Sequence, residues 1–183
     1  ISTPLTFVST NHAILYEQLK PVFADVDEYL CLDPESVKNC ISKKTRAVMY
    51  VGLGGNTGQY QKIIDLCKEN NLKLILDAAH MAGTKWKGNH VGPEADVSVF
   101  SFQAVKNLPT ADSGMICFQE EELDNLARQL SWLGISKDTY ARYNKNEGSY
   151  KWRYDVPNVG FKYHGNSIIA AIGIVQLKYL DDD

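Results

Sequence analysis

The chain has 183 residues, of which 44% are hydrophobic and 22% charged, and a formal net charge of −3. At about 150 residues per domain this is one domain, or one and a fraction, long enough to bury a core without disulfide or metal staples. The acidic balance argues against a dedicated nucleic-acid binder, and no apolar run reaches the ~18 residues of a membrane span.

Taken in order, residues 5–9 read as a strand and residues 10–18 as a helix, with Ser9 or Thr10 as its cap. Residues 21–26 read as a second strand. Asp33 and Pro34 open a helix, the acid as cap and the proline in the first turn. Residues 46–51 form a third strand. Residues 60–70 carry Ile63, Ile64 and Cys67 at helical spacing. Residues 72–76 are a fourth strand ending at Asp77. The stretch around His90 is an exposed turn, 95–102 and 114–118 are two further strands, and 120–133 is an amphipathic helix. Residues 135–159 are polar but hold Tyr140, Tyr143, Tyr150, Trp152 and Tyr154, the composition of a long working loop. Its mixed charges favour contact with a substrate nucleotide or a dimer partner over nucleic acid. Residues 167–180 are helical, with Ile168, Ile169, Ile172 and Leu177 mainly a packing face.

Strands alternating with helices predict an α/β fold, a three-layer αβα arrangement around a mostly parallel sheet. No pair among Cys31, Cys40, Cys67 and Cys117 has the C-x-x-C spacing of a zinc site. Cys67 and Cys117 read as small core residues, and a reducing, cytoplasmic setting follows. The chain begins at Ile1 without an initiator Met, and three aspartates close its last helix against the macrodipole. Both ends therefore read as cuts within a longer protein.

Ligands of parallel α/β folds bind where strands end at their carboxyl edge, and three places there hold candidate chemistry. Gly52, Gly54 and Gly58 follow a strand and precede a helix, as in a dinucleotide site. The third glycine of that pattern is replaced by Thr57, so a tight-turned loop is favoured. Asp77-Ala78-Ala79-His80 puts a carboxylate at the end of an apolar strand beside small residues. Ser101 is followed by Lys106 in a stretch otherwise apolar or small. Asp for a pyridinium nitrogen, Ser for a phosphate and Lys for a Schiff base are what pyridoxal phosphate requires. Each alone also fits a bland reading, as a turn cap, a core histidine or a solvated lysine.

Together these segments resemble the DegT/DnrJ/StrS-type sugar aminotransferases, a fold-type-I pyridoxal-phosphate family. Asp77-Ala78-Ala79-His80 matches its D-A-A-[HQ] motif. Phe100-Ser101-Phe102 with Lys106-Asn107-Leu108 matches F-S-F-x-x-x-K-N-L. Pro4 to Thr10 resembles its entry strand, and Gly160-Phe161-Lys162-Tyr163 with Ala170-Ala171-Ile172-Gly173 and Gln176-Leu177 resembles its late helix segment. The resemblance implies that the chain is part of a large domain, without the upstream phosphate loop and the small C-terminal domain. It implies pyridoxal 5'-phosphate as cofactor, with Lys106 and Asp77 catalytic. Lys106 would hold the cofactor and move the proton, Asp77 would pair with the ring nitrogen, Ser101 would bind phosphate, Phe7 would stack on the ring and His80 would approach its phenolic oxygen. The implied reaction transfers an amino group, commonly from glutamate, to a nucleotide-linked keto-sugar in a homodimer. The chain departs from the family in having Gly52 where many members have His, Lys162 where many have Asn, and Ala111-Asp112-Ser113-Gly114, one residue closer to the lysine, where the family has G-D-G-G. A non-catalytic binding or regulatory protein on the same scaffold is the alternative.

Overall fold

The computed structural model describes residues 1–136 and 154–181. They divide into two compact units, Ile1–Gln119 with Ser167–Asp183, and Glu120–Asn166.

The first unit contains helices α1 (Val8–Tyr16), α2 (Pro34–Cys40) and α3 (Tyr60–Glu69), strands β1 (Ala47–Val51), β2 (Lys73–Asp77), β3 (Lys85–Trp86), β4 (Asn89–His90), β5 (Val97–Ser101) and β6 (Gly114–Phe118), and a helix near its end, α5 (Ser167–Gln176). The main sheet runs β1-β2-β5-β6. β1 pairs with β2 and β2 with β5 in parallel, while β6 lies antiparallel to β5. The expected mostly parallel sheet is thus three parallel strands with one reversed edge strand. The reversal has a local cause. The connection from β5 to β6 turns back at the edge where β5 ends instead of crossing the sheet through a helix. That turn carries Lys106. It closes tightly at Gly114, where a Cβ would come 2.8 Å from the Phe100 carbonyl oxygen.

Side chains alternate across a strand, and the alternation divides the sheet cleanly. Val48, Tyr50, Leu74 and Leu76 are buried in the core with Tyr60, Ile63, Ile64 and Cys67 of α3. Fully burying a side chain such as Ile63 contributes roughly 1.5–3 kcal/mol. Tyr50 and Tyr60 have ring centroids 5.0 Å apart, Trp86 meets Tyr60 edge-on at 5.5 Å, and the Tyr50 hydroxyl donates to the Thr57 carbonyl at 2.7 Å. Burial pushes the Cys67 thiol up to about 11. The opposite face carries Met49, Val51, Ile75, Asp77, Val99 and Ser101, which line a cavity shared with residues of α1.

Several local expectations are corrected. Residues 5–9 are not a strand: Val8 already begins α1, and Phe7 is its cap in extended conformation. The Thr6 amide bonds back to Pro4 and the Leu5 amide to the Thr3 hydroxyl, which bends the chain into the helix. Residues 21–26 hold only isolated bridges, Ser2 with Phe23 and Val26 with Leu32. The Val26 amide turns to the Asp25 carboxylate. The stretch before His90 is the turn of a small hairpin, β3 with β4, whose Lys87 and Gly88 both take positive φ, as its tight connection requires. Cys67 is buried, but Cys117 is exposed because β6 is an edge strand. Asp33 caps α2 as expected, accepting from the amides of Glu35 and Ser36. No residue of α5 is buried, so the packing face read from its sequence lies at the surface.

In the second unit α4 (Glu121–Ser131) carries Glu121, Glu122 and Asp124 in its first turn, where acids suit the dipole. Trp132 bridges to Lys162, whose ammonium sits 3.3 Å from the indole centroid. Phe161 and Tyr163 stack with centroids 4.9 Å apart. Of the aromatic loop read from sequence, Tyr140, Tyr143, Tyr150 and Trp152 lie outside the described residues.

Candidate active site

Parallel register brings the chemistry to one edge. Val51 pairs with Asp77 and Asp77 with Val99, so the ends of β1, β2 and β5 stand side by side. Ser101 lies two residues beyond Val99 and therefore on the same face as Asp77. The turn after β5 then returns Lys106. Its amide bonds to the Gln103 carbonyl at 2.9 Å, while the Gln103 amide and side chain bond to Ser101 and Val105. Thr110 secures the base of the turn, its amide and hydroxyl both donating to the Phe102 carbonyl.

The result is a cavity of about 650 Å³ lined by Phe7, Asp77, His80, Ser101 and Lys106 together. All five residues singled out from the sequence meet there. Asp77, His80, Ser101 and Lys106 are half-buried, whereas Phe7 is 75% exposed. The lower wall is apolar, made by Met49, Ile75 and Val99, and Leu53, Gln103, Val105 and Asp112 also line the cavity.

The Asp77 carboxylate is held from two sides. Oδ2 accepts from the Thr10 hydroxyl at 2.7 Å and Oδ1 from the Ala79 amide at 3.2 Å. His80 is held through Nδ1, which accepts from the Gly54 amide at 3.1 Å. Gly54 has φ 61 within the turn Leu53–Gly55, a conformation that glycine adopts without strain. Burial holds the imidazole below its usual pKa, the Lys106 ammonium adds to this, and Asp77 opposes it. A neutral ring that accepts at Nδ1 carries its proton on Nε2. The glycine segment after β1 is therefore a turn that orients a histidine, with Gly58 packed against Cys31 and Tyr50. Among the described residues no group of acids, thiols and imidazoles has the arrangement of a metal centre.

The sequence reading missed Thr10 and the Gly54 amide. Thr10 stands three residues after Phe7, a helical neighbour, and only a strand assignment at 5–9 hides that both belong to one helix start. A main-chain donor leaves no signal in residue type.

The donor set fits pyridoxal phosphate. The cavity offers an amine for a carbonyl, an ionisable carboxylate for a ring nitrogen, a hydroxyl for an oxyanion and an aromatic side chain beside them, at a volume in the usual range for small-ligand sites.

The profile of the DegT/DnrJ/EryC1/StrS aminotransferase family matches residues 1–183. The spore coat polysaccharide biosynthesis protein SpsC of Bacillus subtilis is 39% identical over 183 residues, covering 100% of this chain and 46% of SpsC. The chain thus spans about half the length of the curated relatives it matches. Among solved structures, Spr1654 of Streptococcus pneumoniae in its PMP form matches with TM-score 0.87 and 25% identity over 99% of this chain and 50% of that one. DesI in the presence of its TDP-sugar product matches with TM-score 0.81 and 27% identity over 99% of this chain and 43% of that one.

Proposed function

The chain belongs to the DegT/DnrJ/EryC1/StrS aminotransferase family, and on that premise we propose that it is the cofactor-bearing part of the large domain of a pyridoxal-phosphate-dependent sugar aminotransferase. In this reading an upstream phosphate loop and a small C-terminal domain complete the enzyme. The observation that carries the reading is the convergence of Lys106, Asp77 and Ser101 on one cavity.

Bound there, the cofactor supplies an electron sink that stabilises negative charge on the carbon being deprotonated. The protein's residues do the rest. Lys106 is the amine that would hold the cofactor and would carry the proton between the donor's Cα and the cofactor's C4′. Asp77, whose carboxylate accepts from Thr10 and Ala79, would pair with the ring nitrogen. Ser101 would donate to the phosphate, Phe7 would cover a ring face, and His80, with its proton on Nε2, would donate to the phenolic oxygen.

The acceptor is a keto-sugar, and we infer that it is nucleotide-linked, with an amino acid, glutamate, as donor. The polysaccharide-biosynthesis name of SpsC supports a sugar acceptor, and the TDP-sugar product in whose presence DesI was studied supports the nucleotide link. Assembly as a homodimer and a cytoplasmic location belong to the same proposal. Among the described residues no helix is long and apolar enough to cross a membrane.

The test is a visible spectrum with pyridoxal phosphate, then borohydride reduction and peptide mapping, then addition of glutamate. A yellow band, a reduced adduct on Lys106 and conversion to the amine form are expected. An adduct without conversion by any amino acid would favour a non-catalytic scaffold. No band and no adduct would overturn the reading.

A further inference from the structure

From the hydroxyl chain that runs from α1 into the sheet, we infer that Thr10 is the positioning residue of this site: it fixes the Asp77 carboxylate and ties the Phe7-bearing end of α1 to the cofactor face. The inference rests on the cofactor reading above and deepens it.

The geometry is directional. Thr10 is buried, at 5% exposure, and its hydroxyl lies 2.7 Å from Asp77 Oδ2 and 2.7 Å from the Thr6 hydroxyl. An ionised carboxylate only accepts. The Thr10 proton therefore goes to Asp77, and the Thr10 oxygen must accept from Thr6. The chain runs Thr6 to Thr10 to Asp77, with every proton assigned. With Oδ2 committed to Thr10 and Oδ1 receiving the Ala79 amide, the carboxylate is held by two donors at a fixed angle. A charge-assisted hydrogen bond of this kind is about twice as strong as a neutral one.

The same bond places a helix. α1 has no side-chain cap at its start. Phe7, its cap residue, is mostly exposed and so is not anchored by its own packing. Thr10 accepts nothing from the core but bonds the end of β2. The third residue of the helix thus sets where its start stands above Asp77. One hydroxyl fixes the group beneath the cavity and the segment that brings Phe7 to it.

Two substitutions in the full-length protein separate this role from general packing. Thr10→Val keeps the shape and removes the hydroxyl; Thr10→Ser keeps the hydroxyl and removes the methyl. Pyridoxal phosphate affinity, followed by absorbance, is expected to weaken about tenfold in Thr10→Val and to return to within about twofold of the parent in Thr10→Ser. The titratable and charged groups that share the cavity with Asp77 are His80 on the loop after β2 and Lys106 and Asp112 on the turn after β5. Equal weakening by both variants, or parent-like affinity in Thr10→Val, would overturn the positioning role while the cofactor reading stands. Parent protein that takes up no pyridoxal phosphate would overturn both. Cofactor-free melting curves of the two variants show whether either change acts through folding; an affinity loss that tracks melting temperature counts against the inference.

Discussion

The Gly54 amide donates to Nδ1 of His80 across 3.1 Å, from a turn after β1 to the loop after β2. This bond requires an unprotonated Nδ1, and burial together with the Lys106 ammonium holds the ring below its usual pKa. The sign of the pH effect follows. Between the lowered native value and the ordinary value near 6.5, the unfolded chain binds more protons than the native one. The His80 contribution is therefore complete above about pH 6.5 and is lost as pH falls through that window. Urea midpoints measured at about pH 7.5 and about pH 5.5 should differ more in the parent than in His80→Gln, whose side-chain carbonyl can still accept from Gly54. Equal differences in the two proteins would show that another group dominates the acid response.

Lys106→Ala removes the amine from the cavity and is expected to abolish the reducible adduct and lower transamination by about 10³-fold or more. The side chain is half-exposed on a turn held by main-chain bonds of Gln103 and Thr110, so unfolding stability should move by less than about 0.5 kcal/mol. The same variant removes a cation that lowers the His80 titration. In Lys106→Ala the His80 pKa should rise, and an NMR titration of the imidazole would read this directly. An adduct persisting in Lys106→Ala would move the carbonyl chemistry to another lysine.

The site was more legible in the sequence than the segment that enters it. Asp77, Ser101 and Lys106 sit just after apolar β runs, and strand ends are where parallel sheets present chemistry. β1, β2 and β5 were visible because strands buried in a parallel sheet are nearly continuous apolar runs. The run Leu5-Thr6-Phe7-Val8 has the same composition and folds differently. The Leu5 and Thr6 amides are satisfied by Thr3 and Pro4 within the turn, which residue type alone does not reveal. The cost of that error was to put Phe7 in a strand and Thr10 at the start of a separate helix, which hid that both stand at one helix start. The reversed strand β6 was read as a strand, but its direction depends on the turn holding Lys106, and a hydrophobic pattern carries no direction. Cys117 looked like a core residue because an edge strand and an inner strand share one pattern.

Asp77→Asn tests the charge without the shape. Oδ1 and Oδ2 both accept in the native site, and an amide offers one acceptor and one donor. The Thr10 hydroxyl can rotate to accept from the new NH₂, and the fold survives at a cost of about 1–2 kcal/mol. The negative charge that the proposed function sets against a ring nitrogen is gone. Turnover should fall roughly 10²-fold or more, far beyond what the stability change explains. A variant with near-parent kcat and only a lower melting temperature would reduce Asp77 to a structural acid.

Gly52 and Met81 form a pair whose fit supports the loop behind His80. A Cβ built on Gly52 would fall 2.0 Å from the Met81 sulfur, with both flanking carbons at 2.7 Å. Met81 is fully buried and directly follows His80, so any side chain at 52 must displace it. Gly52→Ala should therefore destabilise by about 1–3 kcal/mol through overpacking. Met81→Ala alone opens a cavity, at roughly 2–5 kcal/mol. The two faults oppose each other, so the double variant should be clearly more stable than the sum predicts, with a coupling of about 1 kcal/mol or more. The movement also reaches the site. A displaced Met81 shifts His80 away from the Gly54 amide, and cofactor affinity should drop in Gly52→Ala and recover in part in the double variant. Strict additivity of the two substitutions in urea would mean that the methionine relaxes into free space, and that its packing does not set the position of His80.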